Sequence, residues 1–268
     1  MAHPTLPPGD LVVHVVGEGE PILLVHGTGS DGDGTWARQQ PLAGQFQLRM
    51  VDRRGYGDSP DRPPEYGFAE EASDIAALLG NGAHLVGQSY GGVIALLAAQ
   101  VRPEAVYSLT VNEPPAFGVA RDHPDAAWLI DRLAPLFAEA PHLTPEEYDV
   151  RFDSLLGFPP DSVPSLSPRQ RKNLNTARLE HAPWNAPIDL DQLAAAQFRT
   201  LVISGGWDAP GEQPHQRAGR AFTAVCDVIS QRLGAERAVI SGAFHAIPAT
   251  GQPYNDRLTS FLASVSRG

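Results

Sequence analysis

The sequence predicts an α/β fold: a mostly parallel central sheet flanked by helices, with one helical segment inserted. Three observations predict it. Short apolar runs bounded by turn residues alternate with helix-length stretches, the pattern of right-handed strand–helix–strand crossovers. That alternation breaks once, after Pro114, and resumes at Phe198. The chain has 268 residues, 42% hydrophobic and 19% charged, enough apolar material for a sizeable core and too much for disorder.

Residues 11–16 and 22–26 read as the first two strands, separated by the turn signal Gly-Glu-Gly-Glu-Pro. Residues 48–52, 84–87 and 108–112 follow as short runs containing Val or Leu, with helices expected over 36–43, 69–79 and 89–100. Residues 114–197 are Pro-rich and carry most of the isolated aromatics: Phe117, Trp128, Phe137, Tyr148, Phe152, Phe158 and Trp184. Amphipathic helices are expected there over 126–138 and 168–180, and no strand. The segment is far longer than an ordinary connection, so it reads as a cap over one edge of the sheet, with an independently packing appendage as the alternative. The chain thus divides into core (1–113), helical cap (114–197) and core (198–268). The alternation resumes with a strand over 198–204, a helix over 219–233, a strand over 238–241 and a last helix over 254–264.

Charge and cysteine content remove several function classes. A net charge of −11 disfavours nucleic acid and anionic membrane surfaces, both of which are bound through Lys and Arg. Lys172 is the only lysine among 20 basic residues, a bias that matches a GC-rich bacterial genome. The single cysteine, Cys226, cannot form an internal disulfide and reads as a helix core residue. The first ten residues lack the basic and apolar regions of a signal peptide, and no run is long enough to span a bilayer. A soluble cytoplasmic protein acting on a small molecule is expected.

Gly87-Gln88-Ser89-Tyr90-Gly91-Gly92 stands directly after His84-Leu85-Val86 and before a helical stretch. A strand that turns sharply into a helix needs small residues flanking the turn, and the turn projects one side chain, Ser89, from the sheet edge. This is the G-x-S-x-G nucleophile elbow in its strand–turn–helix setting. Three more motifs follow the same order. His26-Gly27-Thr28-Gly29 comes after a buried strand. Asp52-Arg53-Arg54-Gly55-Tyr56-Gly57-Asp58-Ser59 follows the next. Gly242-Ala243-Phe244-His245 lies near the C-terminus. With these four motifs the chain resembles the α/β-hydrolase fold almost end to end.

The resemblance implies a serine hydrolase that forms an acyl-enzyme and needs no cofactor. Ser89 would be the nucleophile and His245 the base that takes its proton and returns it to the leaving group. The backbone N–H groups of Thr28 and Tyr90 would bind the oxyanion, and His26 would brace its own loop. The acid has two candidates. Asp208, in Gly205-Gly206-Trp207-Asp208, occupies the family's commonest position, but lies 37 residues before His245, with a polar stretch at 209–217 between them. Glu113, in Asn-Glu-Pro-Pro, directly follows a strand 24 residues past the serine and is slightly favoured. The aromatics of the inserted segment suggest an apolar acyl or aromatic substrate: an ester, lactone or thioester.

Other readings fit less well. Gly27-Thr28-Gly29-Ser30-Asp31-Gly32 matches G-x-G-x-x-G, but Asp33-Gly34-Thr35 is a poor helix start and acidic groups there would repel phosphate. A non-catalytic binding protein on this fold would be expected to have lost Ser89 or His245. Perhydrolysis, cyanohydrin cleavage and cyclisation can retain a serine triad, whereas dehalogenation and epoxide opening use a carboxylate nucleophile. No metal is expected, since Asp31-Gly32-Asp33 lacks a full calcium-ligand set and no H-E-x-x-H occurs. Arg53 and Arg54 could bind an anion, although a turn-bracing role fits better. The two acid candidates are separable by kinetics. Glu113→Gln and Asp208→Asn should lower kcat very unequally, and small, equal effects would exclude both.

Overall fold

A computed structural model describes residues 10–158, 162, 163, 165–208 and 214–265. The N-terminal nine residues read for a leader, and 209–213 of the polar stretch, lie outside the described residues. The strands are β1 (Val13–Val16), β2 (Glu20–Val25), β3 (Phe46–Val51), β4 (Ala83–Gln88), β5 (Val106–Asn112), β6 (Arg199–Gly205) and β7 (Glu236–Ile240). They form one sheet in the order β1-β3-β2-β4-β5-β6-β7, antiparallel only at the β1–β3 edge. Because β2 to β7 run parallel, their C-terminal ends share one edge, where ligands bind in open α/β sheets.

Both faces are covered, so the central strands read as continuous apolar runs; every residue of β4 is buried. Alternation then sorts their side chains. Leu23, Val25, Leu85, Leu109 and Val202 meet one helical layer, and Ile22, Leu24, Val86, Leu201 and Ile203 meet the other. The first layer holds α2 (Phe68–Leu78), α3 (Tyr90–Val101) and α8 (Pro214–Leu233). The second holds α1 (Gly32–Trp36) and α9 (Gln252–Ser264), through Trp36, Tyr254, Leu258 and Phe261.

Between β5 and β6 the described residues contain no strand. They form α4 (Pro124–Glu139), α5 (Pro145–Leu156), α6 (Pro168–Ala177) and α7 (Leu190–Ala194). Helix α4 buries Ala126, Leu129 and Leu133 in the main core, and its last turn joins Tyr148, Leu174 and Ala177 in a smaller cluster. Helix α6 is fastened by polar contacts instead. Lys172 donates to Gly57 O (2.9 Å) and Ser59 O (2.8 Å), Asn173 accepts from Gly57 N (2.9 Å), and Thr176 donates to Gly55 O (2.7 Å).

Several elements differ from the sequence expectation. The helix expected over 36–43 is instead α1 followed by 3-10 turns over Ala37–Gly44. Asp31 starts it early by accepting from Gly34 N (2.9 Å), and Pro41 removes a donor an α-helix would need. Helix α6 ends at Ala177, leaving Glu180 in the following turn. Helices α5 and α7 were not anticipated. The first opens on a capping box, Thr144 with Glu147, that the surrounding prolines obscure.

The strand-to-helix turn is closely packed against the end of β2. A methyl on Gly91 would sit 2.3 Å from His26 O and 2.4 Å from Val25 O, both fixed backbone of the β2 end. Gly91→Ala should therefore destabilise the protein by about 1–3 kcal/mol, seen as a lower urea midpoint with an unchanged m-value. An unchanged midpoint would show that the neighbouring loop yields.

Candidate active site

Strand β4 delivers Ser89 to the C-terminal edge of the sheet. Its backbone adopts φ 53°, ψ −125°, and its N–H donates to Asn112 O (2.9 Å) at the end of β5. The next residue opens α3, so the Tyr90 N–H belongs to the first turn of the helix, whose donors lack intrahelical acceptors. A methyl on Gly27 would sit 2.9 Å from Ser89 Cβ, which puts the loop after β2 directly against the serine.

His245 comes from the loop after β7. The Gln88 side-chain amide donates to its carbonyl oxygen (2.7 Å), and Phe222 of α8 stacks on its ring at 4.3 Å between centroids. Its Nδ1 lies 2.8 Å from Glu113 Oε2, and its Nε2 lies 2.8 Å from Ser89 Oγ. An ionised carboxylate can only accept, which assigns the proton to Nδ1; Nε2 is then the acceptor for the serine hydroxyl.

Glu113 is wholly buried and leaves β5 with φ 41°, its N–H bonded to Ile203 O (3.0 Å) of β6. Its Oε1 accepts from Gly205 N and from the Trp207 indole, each at 2.8 Å. Asp208 is placed elsewhere. Its carboxylate faces the turn after β7, accepting from Gly242 N (2.8 Å) and Ser241 Oγ (3.1 Å). The structure thus joins Ser89, His245 and Glu113 in one hydrogen-bonded chain and leaves Asp208 outside it, its carboxylate taken up by the turn after β7.

Thr28, Ser89, Tyr90 and His245 line one enclosed cavity of about 30 Å³. The rest of its wall is apolar, chiefly Phe117, Leu133, Phe137, Phe152, Leu156 and Phe222. A larger open groove of about 570 Å³, bordered by Arg121, Asn185 and Asp189, offers neither a histidine nor a hydroxyl nucleophile.

Behind this cavity lies a buried ionic cluster. Arg53 donates to Glu71 Oε2 (2.8 Å), Glu180 Oε1 (2.5 Å), His26 O (3.1 Å) and Gly27 O (3.2 Å). Burial works against its charge, but Glu180, Tyr56 and Glu71 outweigh it and hold the guanidinium protonated well above its ordinary range. Glu180 also accepts from Tyr56 OH and from Thr28 Oγ1, each at 2.6 Å. Burial keeps His26 neutral, with Arg53 opposing its protonation. Its Nε2 accepts from Arg53 N (3.0 Å), so Nδ1 donates to Gly27 O (2.7 Å). His26 therefore braces the loop. Arg54 is committed to Asp74 (3.0 Å) and Asp10 (2.6 Å).

At the end of the glycine-rich loop two backbone donors are committed as well. Gly32 N donates to Asp52 Oδ1 (2.9 Å) and Gly34 N to Asp31 Oδ1, so carboxylates occupy the N-terminus of α1 where a pyrophosphate would have to bind. Among the described residues His14, Asp52 and Asp58 have spacing suited to a cation. The Arg169 guanidinium already pairs with Asp58 (3.0 Å) and Asp52 (3.5 Å).

Sequence reasoning passed over Trp207, Phe222 and Glu180. Trp207 stands beside Asp208 in a motif already singled out, so a local signal existed. Glu180 meets Thr28 across 152 residues and gave none.

The sheet order, the serine turn and the late histidine loop define an α/β hydrolase. Residues 22–257 match the sequence profile of the Alpha/beta hydrolase family, and the chain belongs to that family. It is similar to a pimeloyl-[acyl-carrier protein] methyl ester esterase of Aeromonas salmonicida, 39% identical over 108 residues, 40% of this chain and 42% of that protein. The match therefore spans about two fifths of that relative's length. Among solved structures, an alpha/beta hydrolase from Sphaerobacter thermophilus is 25% identical with a TM-score of 0.68, over 96% of this chain and 99% of that one. Est816, described as an N-acyl homoserine lactone degrading enzyme, is 25% identical with a TM-score of 0.61, over 94% and 96%.

Removing one partner from a buried ion cluster leaves an uncompensated charge. Glu180→Ala should cost about 3–5 kcal/mol of stability, measurable by urea denaturation. A loss below about 1 kcal/mol would mean that Glu71 alone satisfies Arg53.

Proposed function

We propose that the protein is a serine hydrolase that cleaves an ester, lactone or thioester of a small, largely apolar substrate through an acyl-enzyme. One observation carries this reading: Ser89 Oγ, His245 and Glu113 form a continuous hydrogen-bonded chain, each link 2.8 Å, with the hydroxyl facing the enclosed cavity. Ser89 Oγ attacks the carbonyl carbon as its proton passes to His245 Nε2. The imidazolium formed is stabilised by the buried Glu113 carboxylate. The N–H groups of Tyr90 and Thr28 receive the oxyanion, an interaction worth about 2.7–4 kcal/mol per donor in comparable sites. His245 then protonates the departing alcohol or thiol, and a water molecule, deprotonated by the same nitrogen, releases the acid and restores Ser89.

Residues 114–197 act in this reading as the cap, with residues 1–113 and 198–268 as the core. Helices α4 and α5 supply Leu133, Phe137, Phe152 and Leu156 to the cavity wall. That wall carries no carboxylate, lysine or arginine, which favours a neutral acyl group. The Aeromonas esterase supports ester cleavage and Est816 supports lactone cleavage. Among the described residues no helix is long and apolar enough to cross a membrane.

Intact-mass spectrometry after treatment with a fluorophosphonate tests the nucleophile. Wild type should gain a single phosphonyl adduct, and folded Ser89→Ala should gain none and lose turnover. An adduct on Ser89→Ala, or none on either protein, would overturn the assignment.

A further inference from the structure

We propose that Trp207 is a positioning residue for the reaction: its indole N–H fixes the Glu113 carboxylate in the orientation that serves His245. The inference rests on the reading of Glu113 as the acid. Three independent observations point to it.

The first is the division of the carboxylate. Oε1 takes both fixed donors, Gly205 N and Trp207 Nε1, each at 2.8 Å, while among the described residues Oε2 has His245 Nδ1 as its one partner. Two donors from different directions on one oxygen set the plane of the carboxylate, which a flexible glutamate stem cannot do for itself. Glu113 is fully buried, so water does not stand in for a missing donor, and a bond to a charged acceptor in such a site is strong.

The second is backbone strain. Among the described residues three non-glycine residues have positive φ: Ser89 (53°), Glu113 (41°) and Trp207 (53°). Such conformations persist where the surroundings enforce them, and they gather at functional sites. Two of the three are the proposed nucleophile and acid. A bulky indole is a poor choice for this backbone unless its side chain has a task there.

The third is the space made for the ring. A methyl on Gly219 of α8 would sit 2.4 Å from Trp207 Cγ, so the helix surface is hollowed where the indole lies. Phe222 stacks on the indole at 6.0 Å between centroids and on the His245 ring at 4.3 Å. Trp207 N also donates to Ala243 O (3.0 Å), two residues before His245. One residue therefore holds the acid by its side chain and the base's loop by its main chain. Trp207 does not line the cavity, so it acts through Glu113 and its loss should appear in kcat and not in KM.

The test replaces Trp207 with 3-benzothienylalanine, in which sulfur takes the place of the N–H and the ring shape is kept. Trp207→Phe and Glu113→Gln are prepared in parallel. Turnover of p-nitrophenyl butyrate and the rate of Ser89 phosphonylation are measured along with the thermal midpoint. The isostere should lose about ten- to a hundred-fold in kcat and in labelling rate, the worth of one hydrogen bond to a charged group, with KM unchanged and a thermal midpoint that falls but stays well above the assay temperature. Trp207→Phe should follow it in kcat. An isostere with wild-type kcat and labelling rate, beside a crippled Glu113→Gln, would overturn the role of Trp207 alone and reduce the indole to packing. Glu113→Gln at wild-type kcat would overturn the acid assignment and this inference with it.

Discussion

The buried Arg53 guanidinium is the constraint around which the site is arranged. A planar group with five N–H donors that cannot lose its proton must be supplied with acceptors wherever it is buried. Here they come from three distant parts of the chain: main-chain oxygens of the loop after β2, Glu71 of α2, and Glu180 beyond α6. The rings of Tyr56 and Tyr90 close over it, with the guanidinium carbon 4.6 and 4.8 Å from their centroids. No single one of these elements can move without exposing or orphaning the charge. The loop carrying Thr28 is therefore tied to the inserted helices, although no strand connects them.

How much was legible in the sequence follows from the range of each interaction. The Ser89 turn is local: strand, small residues and helix are contiguous, so a single motif specifies it. The sheet is legible for a related reason, since strands buried on both faces must be short and apolar throughout. The acid was not decidable in this way. Register pairs Asn112 with Ile203, so Glu113 and the residues after Gly205 emerge side by side at the same edge. Both candidates follow a strand, and what separates them is backbone hand. Glu113 turns at φ 41° toward His245, while the bend at Trp207 turns Asp208 toward Gly242. One-dimensional spacing carries no record of φ. Helix α7, five residues long, is too short for periodicity to register.

Strain and cavity size are two results of the same packing. Holding Ser89, Glu113 and Trp207 at positive φ costs on the order of 1–3 kcal/mol for each. The glycine contacts around β4 and the aromatic stack on α8 leave those residues no relaxed alternative. The same density, continued by α4 and α5, leaves beside Ser89 a narrow space of about 30 Å³. The Ser89 hydroxyl is thereby kept in a largely apolar enclosure, where its bond to His245 meets little competition from solvent.

Lys172 links α6 to the turn at 55–59 through two main-chain carbonyls, and it is the only lysine in the chain. Any amine-directed bioconjugation that reaches a side chain must therefore act on this one seam. Succinimidyl dyes, biotin esters and aldehyde-activated resins would all acylate or alkylate the nitrogen that fastens α6 to the turn beneath it. For surface immobilisation, a chemistry aimed at carboxylates, of which the chain has 31 on side chains, would leave that seam intact.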